Sequence, residues 1–205
     1  MNQNRQVWNR HYTREKSKLV YPDENIVRFV ARRIRGFDKK ALKQFTVLDL
    51  GCGSGRHLQY LRSCGLSAIG QDFAGEALAG QRDVLLANAE QLPYRDGSFD
   101  LVIAWGVLHY LDEKKRSCSI REIMRVLKPG ASLLATVRAK DDSHLEKTMT
   151  GGDLQGARAW YFSPAGARRL FKAFARVHYG YMARIFPGEK NKIAHHIIEA
   201  VRATA

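Results

Sequence analysis

Apolar residues along this 205-residue chain fall into short runs separated by amphipathic stretches, and the two alternate. Val47, Leu48 and Leu50 make a run typical of a strand buried on both faces. Ala68-Ile69 starts a second, Val102 to Tyr110 makes a third, and Ala131 to Arg138 makes another. Between them the spacing switches to that of helices. Asp23 to Arg35 follows Pro22, carries acids in its first turn, sets Ile26, Val30 and Ile34 four apart and stops before Gly36. Arg56 to Cys64 is closed by Gly65. Lys114 to Leu127 is buried through Cys118, Ile123 and Leu127 and halted by Lys128-Pro129-Gly130, and Ser163-Pro164 caps a helix reaching about Phe174. Two final strands, Val177 to Ala183 and Ile193 to Val201, flank Pro187-Gly188. Strands alternating with helices predict parallel βαβ units in a doubly wound α/β sheet, in which ligands bind at the carboxyl ends of the strands. The polar stretch Lys140 to Ala159, with Gly151, Gly152 and Gly156, reads as a mobile loop over such a site.

The run VLDLGCGSG, Val47 to Gly55, carries the most chemistry. Gly51, Gly53 and Gly55 let the backbone turn sharply and approach a ligand without Cβ clashes, and a helix opens directly after them. A dinucleotide would use the same strand, loop and helix. Its fingerprint, however, places glycine at the sixth loop position, where this chain has Arg56. Asp49 also lies inside the strand, two residues before the first glycine, where an acid repels a pyrophosphate and suits an ammonium group.

With the segments downstream, this loop resembles that of the class I S-adenosylmethionine-dependent methyltransferases, especially the small single-domain, methyltransferase type 11-like members. The resemblance runs from Thr46 to Val137. It implies a Rossmann-like, seven-stranded, mainly parallel sheet ending in an antiparallel hairpin, with S-adenosylmethionine as cofactor and S-adenosylhomocysteine as product. It implies that Asp49, Gly51 and Gly53 lie beneath the methionine part. Asp72, ending the second strand 21 positions after Gly51, looks like the ribose carboxylate; an ionised acid accepts from two vicinal hydroxyls at once. Phe73 would flank the adenine. Asn88, Ala89 and Glu90 stand where the family reads the adenine edge, although an aspartate is commoner at Asn88. Trp105 and His109 follow the strand whose exit faces the methionine side and the transfer point. Trp105 can equally be core, and His109 a satisfied histidine at a helix start.

The implied chemistry is in-line transfer from an activated sulfonium, so alignment and exclusion of water matter more than a dedicated triad. An oxygen or nitrogen acceptor must still lose a proton; His109 is the candidate to take it, with His11 or Tyr12 behind it. Trp8 and Tyr12 are lid candidates whose aromatic faces suit a cation. Tyr21 reads either as part of that lid or as a hydrophobic staple for the helix that follows.

Charge sharpens the picture. The net +14 divides as +8 over residues 1–45, zero over 46–137 and +6 over 138–205. The neutral core would hold the cofactor, while the basic flanks either steer an acidic or phosphorylated substrate or merely solubilise two surfaces. Length and a hydrophobic content of 45% fit a single domain. That domain divides into an N-terminal lid and first helix (1–45), a cofactor-binding core (46–137) and a substrate-side loop with terminal strands (138–205). No membrane span or signal peptide is read, and Cys52, Cys64 and Cys118 suit neither a disulfide framework nor a metal site, which together point to the cytoplasm. A methyltransferase acting on an oxygen, nitrogen or carbon of a small molecule is the first functional expectation and an RNA- or nucleotide-directed one the second. A non-catalytic module that keeps the cofactor is the third; Arg56 and Asp49 argue against a nicotinamide oxidoreductase. Oligomeric state is not legible.

Overall fold

The computed structural model describes residues 3–15, 18–144 and 154–204. Three helices come first: α1 (Gln3–Tyr12), α2 (Glu24–Arg33) and α3 (Lys39–Gln44). There follow β1 (Thr46–Leu50), α4 (Arg56–Ser63), β2 (Ser67–Asp72), β3 (Val84–Leu86), β4 (Phe99–Ala104), α5 (Glu113–Val126) and β5 (Leu127–Ala139). The chain ends with β6 (Tyr161–Phe162), α6 (Pro164–Leu170), β7 (Arg176–Ile185) and β8 (Lys192–Val201).

One sheet runs through the molecule in the order β3-β2-β1-β4-β5-β8-β7, with β6 paired to β5 off this path. The pairings from β3 across to β5 are parallel, whereas β5 with β8 and β8 with β7 are antiparallel. This is the doubly wound, Rossmann-like sheet with a terminal hairpin that the alternation and the resemblance predicted. The two-residue β6 is additional; it takes β5 at Arg138 and Ala139, beyond the end of β4.

Alternating side chains build a core on each face of the sheet. Val47, Leu101 and Ile103 pack with Ile26 and Phe29 of α2 and Leu58 and Leu61 of α4. Leu48, Leu50 and Val102 pack on the opposite side with Ile120 and Ile123 of α5 and Phe171 after α6. Burying a large apolar side chain stabilises by about 1.5–3 kcal/mol, so strand order and helix placement are held mainly by these two layers.

Helix starts follow side-chain chemistry. Asp23, Asp38, Asp112 and Ser163 each accept a backbone amide at the head of α2, α3, α5 and α6. α4 differs: its first flanking residue is Gly55, at φ +83°, with no side-chain cap.

Several predicted boundaries move. The inner face of α5 runs through Arg116, Ser119, Ile120, Ile123 and Val126; Cys118 is only half-buried. Lys128-Pro129-Gly130 ends the helix but not the regular structure, because β5 continues straight through it. α6 stops at Leu170 rather than Phe174. The strand expected along Val102 to Tyr110 ends at Ala104, and Leu108–Tyr110 forms a single 3-10 turn. α1 and α3 were not read from the sequence, so the helix expected to be first is the second.

Of the loop expected over Lys140 to Ala159, the part with Gly151 and Gly152 lies outside the described residues. Among the described residues no helix is long and apolar enough to cross a membrane.

Candidate active site

The carboxyl ends of β1, β2, β4 and β5 open into one cavity of about 750 Å³, within the range of small-molecule and cofactor pockets. Gly51, Gly53, Asp72, Phe73, Asn88, Ala89, Glu90, Trp105 and His109 all line it, as do Trp8 and Tyr12. Residues spread from 8 to 109 along the sequence therefore converge on one space. Asp49 does not. It is 1% exposed and sits behind the glycine loop.

At the β2 end, Asp72 is buried and both carboxylate oxygens are engaged. Oδ2 accepts the Gly53 amide at 3.0 Å and Oδ1 the Ala74 amide at 2.9 Å. Burial raises its pKa, and the amides of Ala74, Gly53 and Phe73 work in the opposite direction. A carboxylate has about four acceptor positions, so two remain for hydroxyl groups. Gln71 beneath donates from Nε2 to the Asn88 carbonyl at 3.1 Å, while its buried Oε1 has no hydrogen-bond partner. Arg5 of α1 donates to Asn88 Oδ1 at 2.7 Å and lies over the Phe73 ring. Glu90 pairs with Lys115 at 3.5 Å.

The glycine loop is a close-approach surface. A Cβ on Gly51 would collide with Val107, and one on Gly53, at φ +54°, with the Tyr12 hydroxyl. Behind the loop Asp49 has a buried Oδ2 without a hydrogen-bond partner, and its pKa is pushed up to about 7. Burial is the chief cause and the charge of Asp72 adds to it, against a smaller opposing effect of Arg56.

α1 forms the roof. Asn4 donates to the Tyr110 carbonyl at 2.8 Å and accepts the Arg158 amide at 2.9 Å, clipping the helix across the cavity. Trp8 stacks on Tyr12 at 5.8 Å and meets Tyr110 edge-on at 5.1 Å. Burial raises the Tyr12 pKa, as does the charge of Asp72, so its phenol stays protonated. Tyr21 takes neither of its expected places: it is 82% exposed, absent from the cavity wall, and contributes only its carbonyl to Arg56 at 3.2 Å.

The β4 and β5 end has a different chemistry. Arg138 is buried and pairs with both oxygens of Asp142 at 3.1 and 3.2 Å. Burial opposes its charge, but Tyr110 and Asp142 outweigh that and hold its pKa above the ordinary value. His109 is 1% exposed. Its pKa lies well below normal because of burial, then His195 and Arg138, against a hydrogen bond to the Thr136 backbone. Arg116 of α5 braces this turn by donating to the Leu108 and Leu111 carbonyls, and the Trp160 amide donates to the His109 carbonyl at 2.8 Å. Trp105 serves both of its readings, since it packs against the α2–α4 core and also lines the cavity.

Several wall residues were not found from the sequence: Asn4, His57, Thr136, Arg138, Arg158, Arg184 and His195. They come from α1, α4, β5, β7, β8 and the stretch before β6, and no spacing signal marks them. Among the described residues no three His, Cys, Asp or Glu side chains are grouped to hold a metal ion.

The methyltransferase-domain family matches residues 48–135. A protein of Encephalitozoon cuniculi described as a methyltransferase is 31% identical over 154 residues, spanning 67% of this chain and 71% of that relative. The chain belongs to the methyltransferase-domain family. A tRNA (carboxymethyluridine(34)-5-O)-methyltransferase of Arabidopsis thaliana is 41% identical over 101 residues, covering 46% of this chain but 24% of that protein. The chain thus spans about a quarter of the length of the tRNA methyltransferases it matches. Among solved structures, Burkholderia thailandensis 1,6-didemethyltoxoflavin-N1-methyltransferase, with 1,6-didemethyltoxoflavin and S-adenosylhomocysteine bound, superposes with a TM-score of 0.67 at 16% identity. That superposition covers 98% of this chain and 87% of the other, a likeness of fold.

The residues at this cavity fit S-adenosylmethionine, the cofactor that the resemblance implies. Gly51 and Gly53 let the loop pack closely under Val107 and Tyr12 at the cavity wall, and Asp72 keeps two acceptor positions there.

Proposed function

We propose that this methyltransferase methylates an oxygen or nitrogen of a small anionic molecule held at the β4–β5 end of the cavity. The observation that carries the reading is the basic character of that end: Arg138, Arg158 and Arg184 line it beside His109 and His195, under a roof clipped down by Asn4. A group of arginines at one end of a pocket favours an anionic ligand there.

In this reading Gly51 and Gly53 lie under the methionine part of the cofactor and Asp72 accepts from the ribose hydroxyls. Phe73, Asn88, Ala89 and Glu90 form the adenine end. Asp49 stays sealed behind the loop, and Trp105, Trp8 and Tyr12 close over the reacting groups. The bound cofactor supplies an electrophilic methyl group on a sulfonium. The chain's part is to align the acceptor with it, which lowers a barrier by about 7–11 kcal/mol in well-oriented systems, and to receive the acceptor's proton. His109 is the candidate the sequence offers for that proton. The whole of 1–205 acts as one domain in this scheme, and the three free thiols suit the reducing cytoplasm.

The test is transfer of labelled methyl from S-adenosylmethionine to a panel of carboxylated and phosphorylated metabolites, each paired with its neutral ester or alcohol. Labelling confined to the anionic members is expected; equal labelling of the neutral partners would overturn the reading.

A tRNA-directed activity is the second reading, favoured by the +14 charge and by the tRNA methyltransferases among the relatives. It requires RNA affinity that falls steeply with salt. Filter binding across a salt series separates the two, and no retention at low salt removes this one.

A further inference from the structure

We infer that His195, rather than His109, is the residue that takes the proton from the methyl acceptor, with His109 holding its ring in place. The inference rests on the proposal that the acceptor is an O–H or N–H group of a small anion.

Both histidines stand at the β4–β5 end, their rings 5.6 Å apart and inclined at 58°. They differ in what they can touch. His109 is 1% exposed, its ring is engaged by the Thr136 backbone, its remaining nitrogen Nδ1 is sealed without a partner, and its carbonyl is held by the Trp160 amide. It has almost no surface to offer a substrate. His195, near the start of β8, is only half-buried and lines the cavity. Its Nδ1 is sealed without a hydrogen-bond partner, which leaves Nε2 as the open ring nitrogen. The ring of His109 lies beside that of His195, and Arg138 is the register partner of His195 across the β5–β8 ladder, its charge felt at the ring.

The charges around His195 come from every element packed on it: Arg138 of β5, Asp142 just after it, Arg184 of β7, Asp23 at the head of α2, and His109. Burial and Arg138 lower its pKa to about 4, so at neutral pH the ring carries a free lone pair. Asp142 already offsets part of the Arg138 charge, and an anion seated beside Arg138 and Arg184 offsets the rest and raises the ring's basicity as the substrate arrives. Substrate charge and proton acceptance are then coupled through the same two arginines.

The step balances. A lone pair of the acceptor heteroatom forms the bond to the methyl carbon as the carbon–sulfur bond breaks and its electron pair stays on sulfur. The heteroatom's proton passes to Nε2 of His195, and the imidazolium later releases it to water.

Two measurements on the full chain test this. In the first, histidine side-chain NMR follows the ring through pH 4–9 with S-adenosylhomocysteine bound, with and without inorganic phosphate as the anion probe. The His195 pKa is expected to rise by about one unit or more with phosphate, and the rise should be lost in Arg138→Met. In the second, transfer to the labelled anionic panel is compared among wild type, His195→Gln and His109→Gln. His195→Gln is expected to lower kcat by about 10²–10⁴-fold and abolish the acid limb of the pH–rate profile, with cofactor affinity intact; His109→Gln should keep the limb. An acid limb that survives in His195→Gln, or disappears only in His109→Gln, overturns the assignment. Absence of any labelled product in wild type sinks the substrate reading alone, because the NMR arm is read without turnover. A His195 ring indifferent to phosphate there overturns the coupling and the role built on it.

Discussion

The carboxylate of Asp72 accepts the amide of Gly53 at 3.0 Å, so the residue that ends β2 fixes the loop that leaves β1. Two neighbouring parallel strands are thereby joined at the point where a cofactor would lie. Removing this acid costs twice. Asp72→Ala is expected to weaken S-adenosylmethionine binding by about 1.5–3 kcal/mol, the usual worth of hydrogen bonds to a charged group, or roughly ten- to 150-fold in Kd. It should also lower the melting temperature by leaving the Gly53 and Ala74 amides unpaired. Calorimetry separates the two, provided it is done below the variant's melting range; unchanged affinity in a folded variant would show that this carboxylate does not hold the cofactor.

Gly53 supports a second prediction, because backbone and contact arguments can be told apart there. Its φ of +54° costs a non-glycine residue about 1–2 kcal/mol, and an added Cβ would strike the Tyr12 hydroxyl. Gly53→Ala is therefore expected to displace α1 as well as strain the loop. Tyr12→Phe in the same chain removes the oxygen that is struck and should recover the α1 part alone, leaving the backbone cost. Amide hydrogen exchange over Gln3–Tyr12 reports the helix directly. Equal exchange in the single and double variants would mean that the contact between Gly53 and Tyr12 does not hold the roof.

The contrast between Asp72 and His195 shows what was legible in the sequence. Asp72 closes an apolar strand a fixed distance after a glycine loop, and local pattern is enough to find it. His195 lies in a strand whose register is set by pairing Arg138 with His195 across the sheet, a non-local fact that no spacing records. The parallel core was readable for the same reason as Asp72: each strand and helix carries its own period. α1 escaped because its inward positions, Asn4, Val7, Trp8, His11 and Tyr12, include only a few clearly apolar residues, and its first turn has no acid. Tyr21 misled because an aromatic ahead of a helix commonly packs on it, whereas here only its carbonyl is used. Cys118 misled because the α5 stripe is completed by Arg116, a buried cation whose Nη1 donates to backbone carbonyls.

Asn4 gives a prediction for the roof itself. Its side chain joins α1 to the Tyr110 carbonyl and the Arg158 amide, two points far apart in sequence. Asn4→Ala removes both bonds and leaves partly buried backbone groups unpaired, a loss of about 1–3 kcal/mol. The cost should appear as looser closure rather than global unfolding. α1 should exchange amides faster while the β1 and β4 amides keep their protection. A uniform loss of protection would instead make α1 part of the folding core.

Asp49 makes stability depend on pH in an unusual direction for an acid. Its pKa is pushed up to about 7 in the folded chain by burial and by Asp72, while an unfolded carboxyl ionises near 3.8. Between these values the folded chain keeps a proton that the unfolded chain has released. The stabilisation is complete below 3.8 and is lost as pH rises through about 7, with a slope of at most about 1.4 kcal/mol per pH unit. Asp49→Asn cannot ionise, so its stability should vary less over that window and exceed wild type at pH 8. Urea melts of the cofactor-free chain at pH 5, 6, 7 and 8 measure it. Parallel curves for the two proteins would mean that Asp49 ionises alike folded and unfolded.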